Sequence, residues 1–408
     1  MKWDCIIIGG GASGLAAAIF CAERGKRVLV LEKATRVGKK LLATGNGTCN
    51  ITNIHAIPDR YHQAADFVRP ALAQFPPSSA IDFFERIGVS CITRESGRVY
   101  PRCEQAGAVL DCLRLTMEEK GVTVQCDSEV TAVTPCKDGW RVIANGETIT
   151  SQAVVIATGG AAAPALGGNA ACYTLPLSVG HHKTPLYPAI VQVRTDTTFV
   201  RAMKGLRTDA TVTFLLNGQA VATHTDELLF TEYGISGPAV MQISRAVGDW
   251  ERRKKGEMTV TLDFLPTLSY DDVWCDLCRR RKTGRQMEDF LTGLLHKRIG
   301  QTLCRMAALS LTDNGATLTD AQLRRLCDTV KNATLSVVGT QGFGGAQVTA
   351  GGIERAEVDP ETMASKKAKN LYLLGEVLDV DGECGGLILQ WAWSSAYAAA
   401  QAIAEDKV

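Results

Sequence analysis

Hydrophobic positions recur in two patterns along this chain. Short continuous apolar runs, Cys5 to Ile8, Val28 to Leu31, Ala153 to Ala157 and Leu371 to Leu374, read as strands buried on both faces of a parallel sheet. A helical stretch joins the first two, so residues 4–32 predict a βαβ unit. Val122 to Cys126 and Trp140 to Ile143 read as strands of a small meander, with a turn at Lys137-Asp138-Gly139. From about Tyr187 to Phe264 the pattern becomes alternating, with strands at Ala210 to Leu216 and Met258 to Phe264, which predicts a separate β domain. Ser269 to Asn332 is helical and polar, capped at Thr319-Asp320. Strand character returns at Leu335 to Val338, and a helix from about Leu389 to Ala404 closes the chain. These elements predict an α/β fold of the Rossmann-like kind. Residues 1–189 and 339–408 would build one discontinuous domain, with a β domain (190–265 and 334–338) and a helical subdomain (266–333) inserted.

The first βαβ unit carries Gly9, Gly11 and Gly14 in G-x-G-x-x-G spacing between strand and helix, and its second strand ends at Glu32. Gly9 permits the tight turn, Gly11 lets backbone approach a pyrophosphate with no Cβ in the way, and Gly14 lets helix and strand pack closely. The phosphates would lie at the helix N-terminus, where unpaired N–H groups and the helix dipole favour negative charge. Glu32 can accept from both hydroxyls of an adenosine ribose, which points to FAD or NAD rather than NADP. Thr158-Gly159-Gly160, closing the Ala153 to Ala157 strand, brings a second strand end to the same crevice. After Leu371 to Leu374 comes G-E-x-x-D-x-D-G-x-x-G-G, Gly375 to Gly386, and then a helix. A flavin needs such a second segment to hold its ribityl chain and ring on the same sheet, whereas a simple NAD dehydrogenase does not. The expected cofactor is noncovalent FAD. No second nucleotide domain is legible, because the glycines of 159–168 and 342–345 lack the strand, helix and acid context. Either the nicotinamide of NAD(P)H stacks transiently against the flavin as electron donor, or oxygen or another carrier closes the cycle.

Composition narrows the class. Across 408 residues, 44 Lys+Arg stand against 43 Asp+Glu, so no overall field draws the chain to nucleic acid or an anionic membrane. The run Arg279-Arg280-Arg281-Lys282 reads as an exposed helix face. No apolar run spans a bilayer, and the apolar N-terminus reads as a sheet strand rather than a secretory signal. A cytoplasmic protein with a small apolar substrate, and without nucleic-acid or membrane partners, is the expectation. The oligomeric state is left open. The 14 cysteines are scattered singly and read as reduced, buried hydrophobes. Cys275 and Cys278 are the one close pair, but no second pair or His partner lies at metal spacing, so no metal site is expected.

The stretches VGKKLLATGNGTCNITN (37–53), ELLFTEYGISGPAVMQIS (227–244) and EVDPETMASKKAKNLYLLGEVLDVDGECGGLILQWAWSSAYAA (357–399) resemble the signatures of the bacterial YhiN/BaiN-type flavoprotein family, in order from one end of the chain to the other. That family includes a bile-acid pathway flavoprotein and proteins described as aminoacetone oxidases. The resemblance implies a two-dinucleotide-binding-type FAD domain with an inserted β-barrel and a helical subdomain. It also implies a set of FAD contacts. Gly11, Ala12, Ser13 and Gly14 would hold the pyrophosphate, Glu32 the ribose, and Lys33 the adenosine edge. Val130 would meet adenine through its main chain, and Lys40, Thr158 and Gly159 are further candidate cofactor contacts. Gly45, Asn46, Gly47 and Asn50 would approach the ribityl chain and ring. Gly375 and Glu376 would meet the second phosphate and ribityl hydroxyls, and Gly386, Leu387 and Ile388 the pyrimidine end of the ring. Cys384 stands where Thr is more usual, and Leu387-Ile388 where Tyr-Asn is more usual, which leaves main-chain contacts and an apolar wall at that edge.

A flavin takes a hydride at N5 and stores charge near N1 and O2, where the resemblance aims the N-terminus of the last helix. Tyr187 and Tyr233 are weak candidates for a proton donor, beside the reading of both as packing aromatics. His181-His182 has a structural and a catalytic reading, and Cys49 and Cys384 admit a flavin–dithiol relay. The acids Asp379, Asp381 and Glu383 are either a capping loop or cofactor contacts. The leading function is NAD(P)H-linked reduction of a C=C bond conjugated to a ketone, which the resemblance directs to a 3-oxo bile-acid or steroid-like substrate. Oxygen-dependent amine oxidation and a non-enzymatic flavin redox sensor stand as alternatives.

Overall fold

In the computed structural model, which describes residues 3–405, the apolar runs near both ends of the chain lie in one sheet. Its first elements are β1 (Trp3–Ile8), α1 (Ala12–Glu23) and β2 (Val28–Leu31), with β1 buried from Cys5 onward and all of β2 buried. A small sheet follows, β3 (Thr52–Asn53), β4 (Cys91–Thr93) and β5 (Arg98–Pro101), with β5 in the middle. The large sheet then adds β6 (Thr123–Gln125), β7 (Val130–Cys136), β8 (Gly139–Ala144), β9 (Glu147–Ile156) and β10 (Leu371–Leu373). Its order is β6-β2-β1-β9-β8-β7, and β10 pairs in parallel with the end of β9, Leu373 opposite Ile156. Ile6 sits between Leu29 and Val154, both parallel neighbours. Continuous Val/Ile/Leu runs are what such doubly covered strands require.

The covering layer is α1 against the last helix, α2 (Leu387–Glu405). In α1, Ser13 through Cys21 are all buried. The helix has no polar face because sheet and helix close on opposite sides of it. Phe20 meets Phe75 edge-on at 5.3 Å and Tyr397 at 5.4 Å, and Arg24 Nε donates to Gln401 at 2.6 Å. Trp391 and Trp393 are fully buried, and each indole N–H has an acceptor. Each such ring removes roughly 200 Å² from water, on the order of 5 kcal/mol of favourable transfer.

Two local readings change, at Val122 to Cys126 and at the start of the last helix. Val122 to Cys126 gives an edge strand parallel to β2, and the meander is β7, β8 and β9. The glycine-rich stretch after β2 contains a short helix, Lys39–Ala43, and a 3-10 turn, Thr44–Gly47. The last helix begins at Leu387, two residues before its apolar periodicity becomes legible.

Two compact units emerge, one running to Tyr187 and resuming at Gln347, the other Pro188–Ala346. The second contains a closed barrel of Val193–Thr195, Gly234–Ser236, Gln219–Phe230, Arg207–Leu216, Met258–Asp263 and Ala333–Thr340, in that spatial order. Its helices include Tyr270–Arg281 and Asp320–Asn332, opened by capping boxes at Ser269 with Asp272 and at Thr319 with Gln322. The basic run is tied down within this unit. Arg279 and Arg280 pair with Asp276, and Arg281 pairs with Asp320. No helix among the described residues is long and apolar enough to cross a membrane.

A buried clasp closes the first unit. Glu357 accepts from the backbone N–H of His182 at 2.8 Å and faces its Nδ1 at 2.7 Å, His181 Nδ1 at 3.1 Å and Lys367 Nζ at 3.0 Å. Burial pushes the Glu357 carboxyl up, but the His182 ring and backbone N–H and the Lys367 ammonium outweigh it and hold it at about 2. Burial pushes His181 down, against the pull of Glu357. A depressed carboxyl contributes stability that is complete above its ordinary value of 4.5 and is lost as pH falls toward 2. Glu357→Gln should therefore cost on the order of 2 kcal/mol at pH 7. In urea titrations across pH the wild-type advantage should shrink below pH 4.5. An advantage unchanged down to pH 2 would assign the clasp's effect to shape rather than charge.

Candidate active site at the meeting of the two chain ends

The turn from β1 into α1 is built on backbone contact. A Cβ on Gly9 would lie 2.4 Å from the Ala157 carbonyl oxygen, and one on Gly14 would lie 1.9 Å from the Gly9 oxygen. At Gly11 a Cβ would meet nothing within 4 Å, so the space in front of this residue is open. Glu32 is pinned from two sides. Its Oε2 accepts from Gly10 N–H at 2.7 Å and its Oε1 from Ala34 N–H at 2.8 Å, which leaves lone pairs on both oxygens. Ser128 N–H donates to the Glu32 carbonyl at 2.9 Å, bringing the start of β7, and with it Val130, to the end of β2. Lys33 is exposed beside them.

The far end of the chain enters here. A Cβ on Gly375 would be 2.7 Å from Ser13 Oγ, and Gly375 is held from behind, its N–H on Ser395 Oγ at 3.1 Å and its carbonyl accepting from Trp391 Nε1 at 3.1 Å. Glu376 pairs with Lys40 Nζ at 2.5 Å and accepts from Thr349 N–H at 2.9 Å. Thr349 Oγ1 in turn accepts from Ala162 N–H at 2.9 Å, and a Cβ on Gly160 would strike both Thr349 and Glu376. Thr158 Oγ1 donates to the Cys172 carbonyl at 3.1 Å. Lys40 and Glu376 are separated by most of the chain, yet they form one buried-edge ion pair.

A second cluster joins the segment around residues 45–53 to the start of α2. Asn53 Nδ2 donates to the Gly385 carbonyl at 3.0 Å, Thr52 Oγ1 to Gln390 Oε1 at 2.5 Å, and Trp393 Nε1 to the Ile51 carbonyl at 2.9 Å. A Cβ on Gly386 would lie 2.6 Å from the Thr52 oxygen and 3.0 Å from Asn50 Oδ1. That Asn50 oxygen is buried with no hydrogen-bond partner. Gly45 and Asn46 both take left-handed backbone and are exposed. Leu387 is fully buried, with its carbonyl accepting from Tyr61 Oη at 2.8 Å, so its side chain belongs to the core and has no free surface for a ligand. Ile388 and Leu389 are half-buried and carry the apolar edge instead.

Gly10, Tyr61, Arg98, Thr349, Gln390 and Ser395 were absent from the sequence reading. Only Gly10, inside the glycine motif, carried a local signal. Asp379, Asp381 and Glu383 face Arg355, His62 and Arg60 respectively. His181 and His182 are committed to Glu357, with His181 Nε2 also 2.8 Å from Ser365 Oγ. Tyr187 is buried at the end of the first unit. Tyr233 is half-buried in the second, lining a cavity of about 600 Å³ with Arg194, Arg201 and Lys204. Cys49 is buried and its thiol is pushed up to about 12 by burial, so it is no ready thiolate. The described cysteines are all free, and no cluster of His, Cys, Asp or Glu among the described residues could hold a metal.

Residues 3–402 match the family model described as the HI0933-like protein Rossmann domain. The chain belongs to this family. This HI0933-like chain is 38% identical over 408 residues to the 3-dehydro-bile acid delta(4,6)-reductase of Clostridium scindens, covering 98% of each. It is 31% identical over 410 residues to the ribosomal RNA dihydrouridine synthase of Escherichia coli, again covering 98% of each. Among solved structures it is similar in fold to 3-ketosteroid delta1-dehydrogenase from Sterolibacterium denitrificans, with a TM-score of 0.55, 12% identity and 100% of both chains covered.

The HI0933-like chain is thus a flavin-dependent oxidoreductase, and its residues fit FAD. The open face of Gly11 is a cradle that a side chain would fill, and the spare lone pairs of Glu32 suit ribose hydroxyls. The unpaired Asn50 oxygen is an acceptor suited to an N–H on the flavin's pyrimidine edge. Gly11→Val should give a folded protein that purifies without FAD, because a Cβ there has no protein atom within 4 Å. Gly14→Val should unfold or lose several kcal/mol instead, because its side chain collides with the Gly9 carbonyl. Melting temperature and flavin absorbance together check this pair, and full FAD content in a folded Gly11→Val protein would remove the assignment.

Proposed function

We propose that this chain reduces a C=C bond conjugated to a ketone, in a flat apolar substrate of the 3-oxo bile-acid or steroid-like kind. NAD(P)H would deliver electrons to the flavin by transient stacking. The observation that carries this reading is the likeness, over 98% of both chains, to a reductase of 3-dehydro bile acids. Bound FAD supplies hydride chemistry, while the protein supplies position and electrostatics. Gly11, Ser13 and Gly14 would hold the pyrophosphate against the α1 N-terminus, Glu32 the ribose, and Gly375 and Glu376 with Lys40 the middle of the cofactor. Gly45, Asn46, Asn50 and Gly386 would hold the ring. The start of α2 adds N–H groups at the pyrimidine end, where reduction places negative charge. Ile388 and Leu389 give that edge an apolar surface, and burying a steroid-like skeleton contributes about 25 cal/mol per Å² of apolar area.

A second reading follows from the ribosomal RNA dihydrouridine synthase likeness. Dihydrouridine is uridine with its C5=C6 bond saturated, and that bond too is conjugated to a carbonyl. Both readings thus share one reaction type and differ in substrate. The near balance of charge and the internally paired arginines at 279–281 favour the small apolar substrate over a polyanion.

Anaerobic titration of the purified yellow protein tests the reading. NADH or NADPH should bleach the flavin, and a 3-oxo-4-ene bile acid should restore its colour with one equivalent of saturated ketone formed. Bleaching by aminoacetone with peroxide formed in air, and no response to the enone, would overturn it in favour of amine oxidation. Loss of dihydrouridine from ribosomal RNA on deleting the gene, with no enone turnover in vitro, would favour the second reading.

A further inference from the structure

On β5 the residues alternate, with Val99 and Pro101 buried and Arg98 and Tyr100 half-buried on the opposite face. That second face lies over both glycine segments of the ring cluster. Arg98 Nε is 2.9 Å and Nη2 3.5 Å from the point a Cβ would occupy on Gly385, while Tyr100 Cε1 is 3.5 Å from the same point on Gly45. Asn53, next to Gly385 through its side-chain amide, is also the register partner of Arg98 in the small sheet. Arg98 is therefore fixed at its base by strand pairing, and its guanidinium occupies the place Gly385 leaves free.

Its charge is not matched. Nearby arginines are committed: Arg60 to Glu383 at 2.7 Å and Arg355 to Asp379 at 3.1 Å. Among the described residues Arg98 has no side-chain hydrogen bond or ion pair. A half-buried guanidinium without a partner forfeits hydration and gains nothing from the protein, which is tolerable where an anion arrives during function. The start of α2 lies immediately beyond Gly385 and Gly386 and adds positive potential of its own.

We propose that Arg98 is a catalytic residue whose guanidinium receives the carbonyl oxygen of the substrate as it becomes an enolate. This rests on the conjugated-ketone reading above. Hydride from the reduced flavin forms a C–H bond at the β carbon, and the C=C π pair moves to a new Cα=C bond. The former C=O π pair goes to oxygen, to which the Arg98 N–H groups donate hydrogen bonds. A proton from solvent then reaches the α carbon, the C=O bond re-forms, and the flavin is left oxidised. Arg, rather than Lys, suits this place because two N–H groups on a rigid plane remain aimed at one oxygen.

Two measurements on holoprotein test it. A steroid with a phenolic A ring is a stable mimic of the enolate, and bound phenolates report themselves by a long-wavelength band with oxidised flavin. In wild type the band should develop at least one pH unit below the free phenol's pKa. In Arg98→Gln it should shift up by one unit or more, with phenolate affinity at least tenfold weaker and FAD content and melting temperature unchanged. Arg98→Lys should recover part of the shift. Enone-dependent reoxidation should fall 100-fold or more in Arg98→Gln, on the scale of removing an oxyanion donor, while reduction of the flavin by dithionite keeps its rate. Equal pH profiles and equal enone turnover in wild type and Arg98→Gln would overturn the assignment of Arg98 and leave the reductase reading standing. Absence of enone turnover in the wild type itself would overturn both.

Discussion

The first unit depends on backbone meeting backbone at distances that exclude a Cβ. Gly14 closes on Gly9, Gly9 closes on Ala157, and Gly386 closes on Thr52. Each contact brings together a turn and a strand end that would otherwise stand a side chain apart. The opening left in front of Gly11 is what a long, flat dinucleotide can use. A substitution that fills a closed contact damages the fold, and one that fills an open face damages the site, though the residue is glycine in both cases.

Charge is arranged with the same economy of position. Glu32, Glu376, Asp379, Asp381, Glu383 and Glu357 are all engaged, by backbone N–H groups or by cations from distant segments. The effect here is orientation: Lys40 fixes Glu376, and Arg60 fixes the loop that carries Gly385. Against that background the guanidinium of Arg98 stands out, because among the described residues it has no side-chain hydrogen bond or ion pair and lies against Gly385.

Fold and function separate in this molecule. The likeness to a ketosteroid dehydrogenase at 12% identity speaks for architecture, because one scaffold hosts many chemistries. The full-length likenesses are to a bile-acid reductase and to a ribosomal RNA dihydrouridine synthase, two proteins whose names give different substrates. Such divergence is expected when the cofactor end of a site is built from backbone and the substrate end from side chains and loops.

Local pattern was enough for the βαβ unit, because Gly9, Gly11, Gly14 and Glu32 lie within one continuous segment and each has a role its residue type dictates. It was enough also for the caps at Thr319 and for the parallel strands, whose unbroken apolar runs suit only burial on both faces. It misplaced Val122 to Cys126 in the meander, since a short apolar strand carries no mark of which neighbour it will pair with. It aimed Leu387 at a ligand, since an apolar residue after Gly-Gly reads the same whether it faces a pocket or the core. Tyr61, Thr349, Gln390 and Arg98 were not legible at all. Their neighbours lie tens to hundreds of residues away, and the contacts that give them meaning exist only once β10 has paired with β9 and α2 has closed over α1. Residue type and spacing determined what the cofactor site could hold; long-range backbone pairing decided which side chains surround it, because contact in space between remote segments leaves no periodicity in the chain.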